Sequence, residues 1–264
     1  MVDLDRIDPD GRIAPRPTAT AFDDAFTTVD PVDGWLTREQ ARRLWECATR
    51  LGPGAQVVEI GSYRGRSTVL LALGGPPDAS VVAIDPHAGN DRGPRQIRAS
   101  SGLGAADHRA FGENLERAGV AGRVRHVRRP SQEAGDAVLG PVDLLYIDGA
   151  HRYRFARDDL RLWGNRVAPG GTLLVHDAFS SVGVTLALAR CLFFSRRFRY
   201  VGRTQSLAEY RAVDQTAGAR VRNAQRQAAE LRWFARNVAL KLAIVAHVAP
   251  LRRKLDPRGQ GWPY

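Results

Sequence analysis

Five short apolar runs, alternating with stretches of helical pattern, constrain this chain more than any other feature. QVVEIG (56–61), SVVAIDP (80–86), VRHV (124–127), VDLLYID (142–148) and GTLLVHD (171–177) are rich in β-branched residues and too short to be helices. Between them the apolar spacing becomes helical. RSTVLLAL follows the first run, Phe111, Leu115 and Ala118 follow the second, Phe155 to Trp163 the fourth, and SVGVTLALARCL the fifth. Strands joined through helices run parallel, in a sheet covered on both faces. FRYVGR and SLAEYRAV then read as a hairpin adding an antiparallel edge. The predicted fold is α/β, a doubly wound, Rossmann-like sheet of seven strands with an antiparallel terminal hairpin, flanked by an N-terminal arm and a C-terminal basic helix.

Residues 1–35 are Pro- and Asp-rich and read as an extended acidic arm; residues 1–34 hold eight Asp against three Arg. Thr37-Arg-Glu-Gln40 has capping-box spacing and opens the main domain, 36–213. Residues 214–264 form a basic extension, with eleven basic against three acidic residues from 211 onward. The net charge of +11 is almost all arginine, since only Lys241 and Lys254 are lysines. The opening MVDLDRIDPD lacks the basic and apolar regions of a secretory leader, and no apolar run is long enough to span a bilayer. Cys47 and Cys191 lack metal spacing and read as free thiols, consistent with a cytoplasmic protein.

The first strand-to-helix turn is Glu59-Ile-Gly-Ser-Tyr-Arg-Gly65. Gly61 and Gly65 permit close backbone approach to a ligand, and a helix N-terminus offers unpaired N–H groups. Asp85 ends the second strand and suits the two hydroxyls of a ribose. The departure from G-x-G-x-x-G argues for a nucleoside without pyrophosphate. Asp148 ends the fourth strand, where doubly wound sheets open their ligand crevice. His151 follows three residues later and suits a general base at neutral pH. His176-Asp177 closes the fifth strand, so Asp148, His176 and Asp177 are expected to converge on one divalent ion, Mg²⁺ for carboxylates alone or Mn²⁺, Fe²⁺ or Zn²⁺ with an imidazole.

The ordered set EIGSYRG (59–65), VAIDP with Asp85, PSQE (130–133), LYIDGAHRY (145–153) and PGGTLLVHD (169–177) resembles the class I S-adenosylmethionine-dependent methyltransferases over roughly residues 36 to 213. Within that class it is most similar to the metal-dependent sugar, macrolide and catechol-type O-methyltransferases. The resemblance implies S-adenosylmethionine (SAM) as cofactor. Glu59, Gly61, Ser62 and Gly65 would line its methionine part, with Tyr63 and Arg64 alongside. Asp85 would hold the ribose, Ser131 and Gln132 the adenine, and Asp148 both the cofactor side and, with Asp177, the metal. His176 stands where sugar-modifying relatives carry an acid, and Ala178 where catechol-type relatives carry an amide, so the third metal ligand stays open. The expected activity is methylation of a small-molecule hydroxyl, on a sugar or glycosylated metabolite, with His151 as base. The alternatives are an RNA methyltransferase, favoured by charge alone, and a non-catalytic SAM-binding protein.

Three further stretches carry expectations. Asp158-Asp159 reads as a solvated helix face with one salt bridge, and His87 as a loop histidine without a partner. From Val221, apolar residues recur near helical period through Val245 with arginines mostly off the stripe, and RRKLDPR follows. This segment is expected to dock on its own domain or on a second subunit in a homo-oligomer. A peripheral anchor on anionic lipid at the inner face of the membrane is the other reading. Few stacking aromatics beyond Trp233 and Phe234 argue against nucleic acid as a partner.

Overall fold

The computed structural model describes residues 19–90 and 98–246. The first eighteen residues of the acidic arm, part of the Gly-rich loop before the third strand, and RRKLDPR lie outside the described residues.

Seven strands form one sheet: β1 (Gln56–Ile60), β2 (Ser80–Ile84), β3 (Val124–Val127), β4 (Val142–Ile147), β5 (Val167–Val175), β6 (Phe198–Thr204) and β7 (Leu207–Ala212). Their order is β3-β2-β1-β4-β5-β7-β6. The first five are parallel; β7 pairs antiparallel with β5 and with β6. Chain order reverses direction between β1 and β4, which puts the topological switch point, and hence the ligand crevice, between their carboxyl ends.

Eight helices cover the sheet among the described residues: α1 (Ala19–Val29), α2 (Arg38–Ala48), α3 (Arg66–Gly74), α4 (Ser101–Arg117), α5 (Tyr153–Leu162), α6 (Val182–Cys191), α7 (Ala217–Ala229) and α8 (Leu231–Val245). The expected capping box is formed: Thr37 Oγ1 accepts from Gln40 N, and the Gln40 side chain accepts from Thr37 N. One core packs α1 to α4 against one sheet face through Phe22, Leu44, Leu70 and Phe111. The other packs α5, α6 and α7 against the opposite face through Leu160, Trp163, Leu188 and Ala224. Cys47 is buried in the first core and Cys191 only half-buried beside the second, and both are free thiols.

Two regions differ from the sequence-based expectation. Residues 19–29 are helical rather than an extended arm, because Phe22, Ala25, Phe26 and Val29 recur at helical spacing and are buried. The C-terminal segment is two helices, not one, broken at Glu230, whose carboxylate accepts from the Tyr200 hydroxyl (3.0 Å) and Arg203 Nε (2.7 Å). Both helices dock on their own domain. Buried Asn223 on α7 accepts from Tyr200 N at 2.7 Å and donates to Phe193 O at 3.0 Å. On α8, Asn237 donates to Phe179 O at 3.2 Å, and Lys241 Nζ to Ser180 O at 3.1 Å. These two bonds fasten the turn after β5, in which Asp177 and Phe179 both hold positive φ (53° and 57°).

Candidate active site

Four of the five parallel strands are followed by one more ladder bond; after β2, Asp85 N donates to Val127 O at 3.2 Å. Gly61 N donates to Ile84 O at 2.9 Å, Asp148 N to Ile60 O at 2.8 Å and His176 N to Ile147 O at 2.9 Å. Asp85, Gly61, Asp148 and His176 therefore stand in a row across the switch point. The row is tight at its centre. A Cβ on Gly61 (φ 83°) would lie 2.2 Å from the carbonyl oxygen of Asp148, so glycine is required there by the close approach of two strand tips. The requirement comes from the chain itself, whatever ligand the turn also takes.

The glycine turn is held from several sides. Asp85 Oδ2 accepts from Ser62 N (3.0 Å) and Tyr63 N (2.9 Å), and Oδ1 from His87 N (2.7 Å). Arg64 Nε donates to Asp107 at 2.9 Å, and the Trp35 and Tyr63 rings lie 5.3 Å apart. Glu59, expected to line the methionine part, is wholly buried and accepts the hydroxyls of Ser67 and Thr68. Burial pushes its carboxyl up to about 8, against the hydroxyls that favour the anion. Because the unfolded carboxyl titrates near the ordinary value of 4.5, folded protein retains a proton that unfolded protein releases between these values. Stability is therefore expected to fall as pH rises through that window, by up to about 1.4 kcal/mol per pH unit, the slope of one proton. Urea midpoints of Glu59→Gln and the parent, compared at pH 5.5 and 8.5, check this. An equal decline in both proteins would remove Glu59 as its source.

Ser131 and Gln132 meet on Asp159: Ser131 Oγ and Gln132 Nε2 both donate to Oδ1, the latter at 3.1 Å. The solvated face expected for Asp158-Asp159 holds only for Asp158, which pairs with Arg157 at 2.6 Å. Asp159 is buried with Ala156 and Leu160, and burial raises its carboxyl to about 6. His87 is likewise no idle loop residue. It is buried at positive φ (47°), its Nε2 lies 2.7 Å from Tyr63 O, and its ring packs on His126 and Phe111.

On the other side of Gly61, Asp148 Oδ2 accepts from the Tyr146 hydroxyl at 2.8 Å. His151, half-exposed, places Nε2 at 2.8 Å from Oδ2 of buried Asp177. Ligand atoms of Asp148, His151 and Asp177 all lie within 4.8 Å of one another. His176 sits directly behind them, with Nδ1 at 3.1 Å from Asp148 Oδ1 and 3.7 Å from Asp177 Oδ2. Burial disfavours a charged His176, but the two carboxylates outweigh it and hold the pKa at about 10. For Asp177 burial acts upward, yet His151 and His176 carry it well below the carboxylate range. His151 is raised: burial lowers it, and Asp177 overcomes that effect.

The two carboxylates, Asp148 and Asp177, are a hard-oxygen donor pair that fits a divalent cation such as Mg²⁺. Nε2 of buried His176 lacks a hydrogen bond, an orphaned polar atom beside that cluster. Of the three expected metal residues, the structure groups Asp148 and Asp177 with His151 and sets His176 behind them.

A seven-stranded mixed sheet of this order, with antiparallel terminal strands and flanking helices, matches a Rossmann-like methyltransferase fold. Residues 58–178 match the family model described as a methyltransferase domain. A catechol O-methyltransferase of Mycobacterium tuberculosis (strain ATCC 25618 / H37Rv) is 31% identical over 133 residues, 50% of this chain and 51% of that protein. The chain thus spans about half the length of the curated relative it matches. Among solved structures, cofactor-bound Rv0187 from MTB aligns with TM-score 0.53 and 21% identity over 75% of this chain and 92% of its own. SAH-bound PaMTH1 of Podospora anserina aligns with TM-score 0.56 and 15% identity over 75% and 89%. These structural likenesses show a shared fold.

Proposed function

We propose that the chain transfers the methyl group of SAM to a hydroxyl of a small molecule, a sugar or glycosylated metabolite, with His151 as general base and a divalent cation at Asp148 and Asp177. One observation carries this reading: the Asp148, His151 and Asp177 ligand atoms gather within 4.8 Å at the tips of adjacent strands, beside a glycine turn suited to a nucleoside.

An alcohol hydroxyl attacks the sulfonium methyl only as its proton leaves, so a proton acceptor must stand beside it. With Nε2 of His151 directed at Asp177, the neutral ring carries its proton there and leaves Nδ1 as the accepting atom. Asp177 orients the ring and stabilises the imidazolium that forms, as a carboxylate does behind a catalytic histidine. A bound divalent cation would supply a lower pKa for the acceptor hydroxyl. Asp85 would turn from the Ser62 and Tyr63 amides toward the ribose, and Ser131, Gln132 and Asp159 would border the adenine.

Methyl transfer from labelled SAM to a panel of glycosides and phenols, with and without EDTA, tests the proposal. Transfer to glycosides, lost with EDTA and restored by Mg²⁺ or Mn²⁺, is expected. Transfer indifferent to EDTA would remove the metal role, and failure to bind SAM would remove the whole reading.

A further inference from the structure

We infer that the rim formed by α5, α6 and α8 beside His151 docks on an anionic lipid surface. The inference deepens the proposed function and rests on it for one consequence, that the acceptor hydroxyl belongs to a molecule held at that surface.

Residues 151–155, His-Arg-Tyr-Arg-Phe, are all exposed, so the histidine at the crevice mouth is followed at once by two arginines and two aromatics. The Arg152 guanidinium lies 4.7 Å from the Phe155 ring centre. The start of α6 abuts this stretch, since a Cβ on Gly183 would lie 2.2 Å from His151 O and 2.6 Å from Tyr153 N. Its outward face carries Val182 and Leu186, 55% and 53% exposed, one helical turn apart. Lys241 of α8 bonds Ser180, two residues before Val182, and the residues beyond it, Leu242 and Val245, are 64% and 67% exposed. Aliphatic side chains exposed to this extent on α6 and α8 form no part of either core.

Charge selects the occupant. Arg152, Arg154, Arg157, Arg161 and Arg190 lie on or beside α5 and α6; the one unburied acid on these two helices, Asp158, pairs with Arg157 at 2.6 Å and lies 4.0 Å from Arg154, which leaves the patch strongly basic in sum. A second copy docking through the same face would bring two arginine-rich patches together. A nucleic acid would satisfy the arginines but has no use for Val182, Leu186, Leu242 and Val245. An anionic bilayer satisfies both, since phosphates take the guanidinium groups while aliphatic and aromatic side chains enter the headgroup boundary. No helix among the described residues is long and apolar enough to cross a membrane, so the contact is peripheral. In this pose His151 faces the lipid surface.

The test is co-sedimentation of the full chain with sucrose-loaded vesicles of equal parts phosphatidylglycerol and phosphatidylcholine, against pure phosphatidylcholine. Anionic vesicles are expected to pellet the protein at low salt and release it at high salt. The double variant Val182→Asp, Leu186→Asp is expected to bind at least about tenfold more weakly. Circular dichroism and SAH affinity measured on the same samples report folding and the cofactor site, and Phe155→Ser replaces the double variant if that does not fold. Equal pelleting of variant and parent, or equal pelleting on both vesicles, overturns the inference. So does a parent dimer, seen by light scattering, that the double variant dissociates, or tight binding of single-stranded RNA in place of vesicles. Vesicle binding without SAH affinity would uphold the docking and sink the methyltransferase reading.

Discussion

His151→Ala is expected to lower methyl transfer roughly 10²- to 10⁴-fold while leaving SAM binding intact, the range that a positioned general base contributes. The ring reaches its place through the Asp148-Gly-Ala-His turn and is aimed by Asp177, 2.8 Å away. Its loss leaves the glycine turn and Asp85 untouched. Because Asp177 raises the imidazole above its ordinary value of 6.5, the proton-accepting form is lost as pH falls. The acid limb of the parent's rate profile is therefore expected above that value. Single-turnover rates across pH, with SAM affinity by titration calorimetry, give both readouts. A His151→Ala protein that keeps the parent's rate and acid limb would assign the base to another group.

Gly61→Ala is expected to cost roughly 2–4 kcal/mol of stability. The new methyl would meet the backbone of Asp148 at 2.2 Å, and neither partner is a flexible side chain. Gly54→Ala is the control, since Gly54 also has positive φ (69°) but nothing within 4 Å of its would-be Cβ, so only the conformational cost of about 1 kcal/mol applies. Urea unfolding of both proteins separates the two effects. Equal losses would show that the contact with Asp148 is not what requires glycine.

The sheet was legible because each strand carries its own signal. β-branched runs such as VVEI and VVAI can only be buried strands, and the helices between them force parallel crossovers. Helix α1 also carried a signal, in Phe22, Ala25, Phe26 and Val29, but the surrounding prolines and aspartates obscured it. The charge of Asp159 masks what its spacing shows. It falls three residues after Ala156 and one before Leu160, on the buried face of α5. The pairing of His151 with Asp177 joins residues far apart in sequence, and only the register of β4 against β5 brings them together. For the same reason, no local pattern tells that Gly61 faces Asp148, or that Ser131 and Gln132 reach Asp159.

The turn that presents Asp177 is strained at two residues and is fastened from outside by Asn237 and Lys241, about sixty positions along the chain. A shortened protein ending near residue 213 would therefore keep β1 and β2 at the switch point but lose the outside brace on the turn that carries Asp177.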